Sequence, residues 1–217
     1  MMDAFTLPQF LFLLKGLQWT AALSLIGLSL GAVAGLFIAL ARTSGFKALR
    51  RITGGYIMLF QGTPLLMQLF VTYYGLALIG LKLDPWASVA IGFTLHASAF
   101  LGEIWRGSIE AIPRGQTEAA NALGVNYLTR MRKIVLPQAF RISLPATIGF
   151  LVQLIKGTSL AAIVGFNELA RSGSIVSNQN FKPLLVYAVV ALLYFSMCWP
   201  LSLYGSRLER RLATGAR

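Results

Sequence analysis

Residues 16–41, 52–81, 85–102 and 183–206 contain no Asp, Glu, Lys or Arg, and a fifth apolar stretch, 142–167, is interrupted only by Lys156. About 20 helical residues cross the ~30 Å hydrocarbon layer of a bilayer. Charged residues make up 12% of the chain, against about 25% in soluble domains, so a water-facing surface of this size cannot be covered. Lipid offers no partners to peptide groups, so apolar runs of this kind fold as helices. A membrane β-barrel shows alternating segments of ~10 residues, and none is visible. The expectation is an all-α membrane protein, a single domain over residues 1–217. Five transmembrane helices are placed roughly at 18–41, 56–79, 86–105, 142–165 and 183–205.

The net charge of +12 could indicate nucleic acid, but the basic residues sit between the apolar runs. Arg42, Lys47, Arg50 and Arg51 follow the first span. Arg106, Arg114, Arg130, Arg132, Lys133 and Arg141 surround the loop after the third, and Arg207, Arg210, Arg211 and Arg217 end the chain. Only Lys15, Lys82, Arg171 and Lys182 fall on the opposite side. The positive-inside rule then puts the N-terminus outside and the C-terminus in the cytoplasm. An odd number of spans requires the same arrangement. The first apolar run is too long for a signal-peptide core of 7–15 residues, so it reads as a retained span. The single cysteine, Cys198, allows no internal disulfide.

Along the chain, Phe10–Leu14 reads either as an interfacial helix or as a lead-in to span one. Gly27, Gly31 and Gly35 form a small-residue row of the kind that packs helices closely in lipid. In span two, the run Gln61-Gly62-Thr63-Pro64-Leu65-Leu66-Met67-Gln68 predicts a kink or unwinding, placed toward protein interior or water. His96, the one histidine, reads as a hydrogen-bonded interior residue; no ligand-spaced Cys, Asp or Glu accompanies it. Trp19, Trp86, Trp105 and Trp199 fall near span ends as interface anchors. Residues 166–182 are polar and read as the longest outside loop.

The loop at 106–141 differs from everything around it. Thr117 reads as an N-cap before Glu118-Ala119-Ala120, with the early Glu complementing the helix dipole. Gly124 is a natural C-terminal breaker. A second helix starts near Asn126, with Tyr127, Met131, Ile134 and Val135 on one face, and Pro137 is expected to block its continuation. The product is a helix–Gly–helix unit whose small residues offer a flat face to a partner.

At Glu118, Ala119, Ala120, Gly124, Ile134, Leu136 and Pro137 this unit resembles the EAA loop of importer-type ATP-binding-cassette permeases. Gly62-Thr63-Pro64-Leu65-Leu66, Glu103-Ile104-Trp105-Arg106-Gly107, Gly115-Gln116, Leu136-Pro137-Gln138-Ala139-Phe140-Arg141 and Lys156-x-Thr158-Ser159-Leu160 are similar to its polar amino acid uptake branch. The resemblance covers roughly residues 15–210. It implies a five-span subunit of a bacterial inner membrane that pairs with itself or a homologue. Two cytoplasmic ATPase subunits and an external solute-binding protein complete the assembly. The seven loop residues would form the ATPase-coupling element of an alternating-access importer. The chain has no phosphate-binding Gly-x-x-x-x-Gly-Lys-Ser/Thr loop, so no cofactor is assigned to it; ATP and Mg belong to the partner ATPase. Gln61 stands where the family often has Arg, and Gly157 where it often has Asp.

Candidate substrate-pathway residues are Gln61, Thr63, Gln68, Ser98, Glu103, Lys156, Thr158 and Ser159. Lys156 lies ~22 Å along a helix from Arg141 at 1.5 Å per residue. A charge at the bilayer centre costs ~2.5–3.5 kcal/mol on insertion scales, so Lys156 serves a zwitterionic substrate or snorkels outward. Glu103 has an alternative as an i, i+3 partner of Arg106. Other readings are a permease for another small polar solute such as an opine or cystine, a channel, or an intramembrane enzyme. The last lacks an evident nucleophile–base pair.

Overall fold

The computed structural model describes residues 5–214; Arg217, one of the basic residues at the chain end, lies outside them. The described residues form helices and no strand. The first helix, α1 (Leu7–Arg42), is uninterrupted, so the Phe10–Leu14 patch is its opening turns and not a separate interfacial element. Thr6 and Gln9 form a capping box at its start, which satisfies backbone donors that a helix N-terminus leaves open.

The second expected span is divided. Helix α2 (Lys47–Gln61) stops at Gly62–Pro64, and a shorter apolar helix, α3 (Leu65–Leu78), follows. Pro64 has extended backbone, φ −61° and ψ 138°, so the break falls where Gly and Pro sit together. Next come α4 (Pro85–Glu110), α5 (Arg114–Ala122), α6 (Tyr127–Val164), α7 (Leu169–Asn180) and α8 (Pro183–Thr214). Asp84 caps α4 by accepting the Ala87 N–H at 3.0 Å, and Pro85 supplies the fixed φ suited to a first helical position. Among the described residues four helices, α1, α4, α6 and α8, are long and apolar enough to cross a membrane; α3 is apolar but shorter than that class.

Three local expectations are corrected. Helix α5 begins one turn earlier than the sequence suggests: Pro113, extended at φ −54° and ψ 130°, leads into it, so Thr117 is helical and not its cap. Pro137 does not stop the second loop helix, which runs on as α6. The turn just before it, Met131–Val135, is wound with i→i+5 hydrogen bonds, Leu136 N–H reaching the Met131 carbonyl. That wider turn absorbs the missing proline donor and its ring. The polar segment 166–182 is mostly helix α7, with Leu169, Ser172, Val176 and Asn180 buried. The loop at 106–141 therefore shrinks to its middle, since α4 extends to Glu110 and α6 starts at Tyr127.

The core is organised on the seam between α1 and α4. A Cβ placed on Gly27 would lie 3.0 Å from Phe93 Cβ, one on Gly31 2.5 Å from Ala97 Cβ, and one on Gly35 3.1 Å from the Gly102 nitrogen. The three glycines at four-residue spacing thus mark where two helix backbones touch, as small-residue seams do in membranes. Phe93, Ala97 and Leu101 are fully buried and are joined by Leu23, Leu69, Phe150 and Leu154. A second cluster, Leu13, Leu169, Val176, Val186 and Val190, gathers α1, α7 and α8. Trp19 and Trp86 pack on each other at 5.4 Å and against Phe166. Trp105 donates its indole N–H to Thr147 Oγ1 at 3.0 Å, while Trp199, 53% exposed, stacks on Phe195 at 5.8 Å.

Substituting Gly31→Val should force the α1–α4 seam apart, at the ~1–3 kcal/mol typical of overpacking. The thermal midpoint of the detergent-purified protein should fall, whereas Gly55→Ala, with nothing within 4 Å of its added Cβ, should leave it unchanged or raised. Equal midpoints for Gly31→Val and wild type would refute the seam.

Candidate functional site

The basic end of the molecule carries the helix–Gly–helix unit. Helix α5 buries Ala120 and exposes Glu118, Ala119 and Ala122. It ends in a full left-handed C-terminal turn: Gly124 has φ +70°, its N–H reaches the Asn121 carbonyl at 2.9 Å, and the Val125 N–H reaches Ala120 at 3.0 Å. Glycine takes this φ without the steric cost other residues meet. Asn126 then caps α6, accepting the Thr129 N–H at 2.9 Å. Arg130 bonds Asn121 and lies over the Tyr127 ring, closing the two helices on each other.

Two side chains that the sequence displays without announcing a role hold this unit to α6. Gln116 donates to Gln138 Oε1 at 3.0 Å, and Gln138 donates back to Gln116 Oε1 at 2.6 Å and to the Ile134 carbonyl at 2.7 Å. Beneath this amide pair lie Ile112, Met131, Val135 and Ala139, packed with Leu40, Ile109 and Leu136. Ile134 and Leu136 are half-buried in that support, and Pro137 is exposed. Outward, Leu123 is 82% and Leu128 75% exposed. The free face is therefore small and apolar, with one carboxylate, Glu118.

The candidate pathway residues divide into separate groups. Gln68 is buried and holds the break in the second span together. Its amide nitrogen donates to the Phe60 carbonyl at 2.7 Å and to the Thr63 carbonyl and hydroxyl at 3.0 Å. Its oxygen faces His96 Nδ1 at 3.0 Å; an amide oxygen only accepts, so His96 carries its proton on Nδ1. Gln68 thus supplies the partners that unwinding removed from the backbone, which lipid cannot provide. Gln61, on the other side of the break, is exposed. Ser98 is bonded to Tyr56 at 2.7 Å and to the Leu95 carbonyl at 2.8 Å. Glu103 is engaged by Arg106, whose Nε donates at 2.8 Å and which also reaches Glu110, so the i, i+3 pairing is what the structure contains.

On α6, Thr158 is buried and donates to the Ile155 carbonyl at 2.7 Å, while Ser159 donates to the Lys156 carbonyl at 2.8 Å. Lys156 is exposed and lines a hollow of about 230 Å³ against α8, with Tyr194, Cys198 and Trp199. Its neighbour Gly157 faces the other way: an added Cβ would meet Leu65 Cδ2 at 3.1 Å. Lys156 is thus not brought to Gln68 or Ser98.

One buried acid escaped the sequence reading. Glu168 is fully buried at the start of α7, accepting from the Ala170 and Arg171 N–H groups at 2.8 and 2.7 Å and from the Tyr194 hydroxyl at 2.8 Å. Burial pushes its carboxyl above the usual carboxylate range, opposed by those donors. Beside it, the Leu169 N–H reaches Thr20 Oγ1 at 3.2 Å, so α1, α7 and α8 are joined. An acidic residue opening a helix was the available signal; a polar run between apolar spans hid it.

The candidate site is thus an exposed helical elbow at one end of an apolar helical bundle. Residues 27–214 match the family described as binding-protein-dependent transport system inner membrane component, and the chain belongs to that family. It is 36% identical over 207 residues to the probable amino-acid ABC transporter permease protein YckA of Bacillus subtilis, covering 95% of this chain and 92% of that one. It is 37% identical to the L-cystine transport system permease protein TcyB of the same organism, over 91% of this chain and 85% of that one. A crystal structure of an amino acid ABC transporter with histidines superposes with a TM-score of 0.85 at 32% identity, covering 92% and 94% of the two chains.

Gln68→Leu should strip partners from Phe60, Thr63 and His96, costing the ~1–3 kcal/mol of an unsatisfied buried polar group. The detergent-state thermal midpoint should fall well below that of Gln61→Leu, an exposed neighbour. Matching midpoints would show that Gln68 does not hold the break.

Proposed function

We propose that this chain is the permease subunit of an ATP-driven importer that moves a polar amino acid into the bacterial cytoplasm by alternating access. The amino-acid transporters among its relatives support the substrate class. In this reading α2 and α3 make one interrupted crossing, giving five, with the N-terminus outside and the arginine-rich ends in the cytoplasm of a bacterial inner membrane. The partners are two ATPase subunits that bind ATP and Mg, a second permease subunit, identical or homologous, and an external solute-binding protein.

The observation that carries the proposal is the exposed Glu118–Gly124 elbow clamped by Gln116–Gln138 to the start of α6. Helix α6 has 38 residues, ~57 Å at the α-helical rise. Closure of the ATPases on ATP moves the elbow, and the long helix carries that motion through the membrane. Glu118, Ala119 and Gly124 form the contact; Ala120, buried beneath them, and Ile134, Leu136 and Pro137 shape its base.

The pathway residues fit a shared substrate site. Gln68, Ser98, Glu103 and Thr158 already spend hydrogen bonds on their own chain, and a Cβ added at Gly157, where the family often has Asp, would press on Leu65 Cδ2 at 3.1 Å. Thr63 and Ser159 likewise bond their own backbone, at Leu59 and Lys156. Lys156 and Gln61 remain exposed for a substrate or for the second subunit. The site is therefore completed across the permease pair.

Leu123→Asp puts a charge on the exposed elbow without touching the fold. The ATPase subunit should no longer co-purify, and uptake should fall at least tenfold, with membrane insertion unchanged. Gly124→Val, strained at φ +70°, should leave ATP hydrolysis poorly coupled to uptake. Wild-type co-purification and uptake in both variants would refute the coupling role.

A further inference from the structure

Beside the elbow, a cavity of about 610 Å³ opens among the ends of α1, α2, α4, α5 and α6. Arg42, Arg50, Arg114 and Arg130 line it, with Glu110 and Glu118. Glu110 is already paired with Arg106, so the walls carry an excess of positive charge. Arg42 donates from Nη1 to the Arg50 carbonyl at 3.1 Å, while its Nε is buried without a hydrogen-bond partner among the described residues. A guanidinium has five N–H donors and no acceptor, so this one is undersupplied with acceptors.

The same cavity abuts an apolar groove of about 290 Å³. Ile109 lines both, and Val135 of the cavity is followed by Leu136 of the groove. The groove continues along α1, α4 and α6 past Leu36, Trp105, Ala139 and Phe140. Leu36 is 41% and Phe140 61% exposed. From Leu136 to Ser143 it extends ~10 Å along α6 at the α-helical rise. A basic chamber that leads into an apolar trough is complementary to one kind of molecule, an anionic headgroup attached to an acyl chain.

We propose that this composite cavity binds one acidic phospholipid of the cytoplasmic leaflet, its phosphate on Arg42 and Arg50 and an acyl chain along Leu36 and Phe140. Arginine forks match phosphate oxygens in a bidentate way, and basic pockets between membrane helices recognise anionic headgroups. The chamber also includes Glu118 and Arg114 of the elbow, so the headgroup sits against the element that meets the ATPase. The leaflet assignment rests on the proposed orientation; the lipid chemistry does not.

Native mass spectrometry of the delipidated importer complex, titrated with phosphatidylglycerol or phosphatidylcholine, tests this. One phosphatidylglycerol per chain should be retained at concentrations where phosphatidylcholine is lost. The double variant R42Q/R50Q should weaken retention at least tenfold, and R42K/R50K, which keeps the charge but loses the fork, should restore only part of it. Leu36→Trp, which fills the groove, should weaken it as well. Equal retention of both lipids, or undiminished retention in R42Q/R50Q, overturns the proposal. Displacement by inorganic phosphate with no effect of Leu36→Trp overturns it in favour of a free-anion site. Labelling of G45C by an impermeant maleimide in intact cells would overturn the orientation alone and leave the lipid result standing.

Discussion

The close approach of α1 and α4 is the contact on which the remaining packing depends. Lipid chains are as apolar as leucine, so no hydrophobic force brings membrane helices together. What remains is dispersion, which grows only when backbones come near. Gly27, Gly31 and Gly35 each sacrifice about 1 kcal/mol of helix propensity relative to alanine and thereby let α1 meet Phe93, Ala97 and Gly102 at contact distance. Once α4 is fixed there, its other faces are assigned. Gly92 meets Leu69 and Thr72 on α3, Phe100 stacks on Phe150 of α6, His96 meets Gln68, and Ser98 meets Tyr56.

A second constraint decides what the polar residues do. Each unsatisfied peptide group in hydrocarbon costs several kcal/mol, so a break in a membrane helix needs internal donors and acceptors. Gln68 meets that need at Gly62–Pro64, and the pairs Tyr56–Ser98, Glu103–Arg106 and Glu168–Tyr194 settle other polar groups within the chain. Polar residues at membrane depth are therefore weak evidence of a substrate site by themselves. Lys156 differs because it faces a hollow on α8 and has no carboxylate within 4 Å among the described residues.

Elements whose cause is local were legible in the sequence. The glycine row gave the helix seam, Gly62–Pro64 gave the break, and Asn126 and Gly124 gave the cap and the turn of the elbow. Elements whose cause is tertiary were not. Pro137 reads as a helix stop because its compensation, the widened turn at Met131–Val135, has no sequence mark of its own. Segment 166–182 reads as a loop because its burial comes from α1 and α8. The Gln116–Gln138 pair joins residues far apart in the chain. Glu103 was ambiguous on spacing alone, and only the position of Arg106 resolves it.

If the elbow couples to an ATPase as proposed, these contacts decide how its displacement reaches the far side. Helix α5 cannot slide on α6 without breaking two amide hydrogen bonds and uncovering Ile112 and Met131. The widened turn keeps α6 continuous past Pro137, so displacement is passed along its length and not lost at a hinge. Halfway, Phe150 and Leu154 press on the Phe93 cluster, which is locked to α1 by the glycine seam. At the other end, Gly165 turns the chain into Glu168, which bonds Tyr194 on α8 and sits next to the Leu169–Thr20 link to α1. Motion of α6 must therefore either carry α1, α4 and α8 with it as a block or break buried polar bonds. The first costs far less, so under the proposed alternating-access reading the subunit moves as a rigid body.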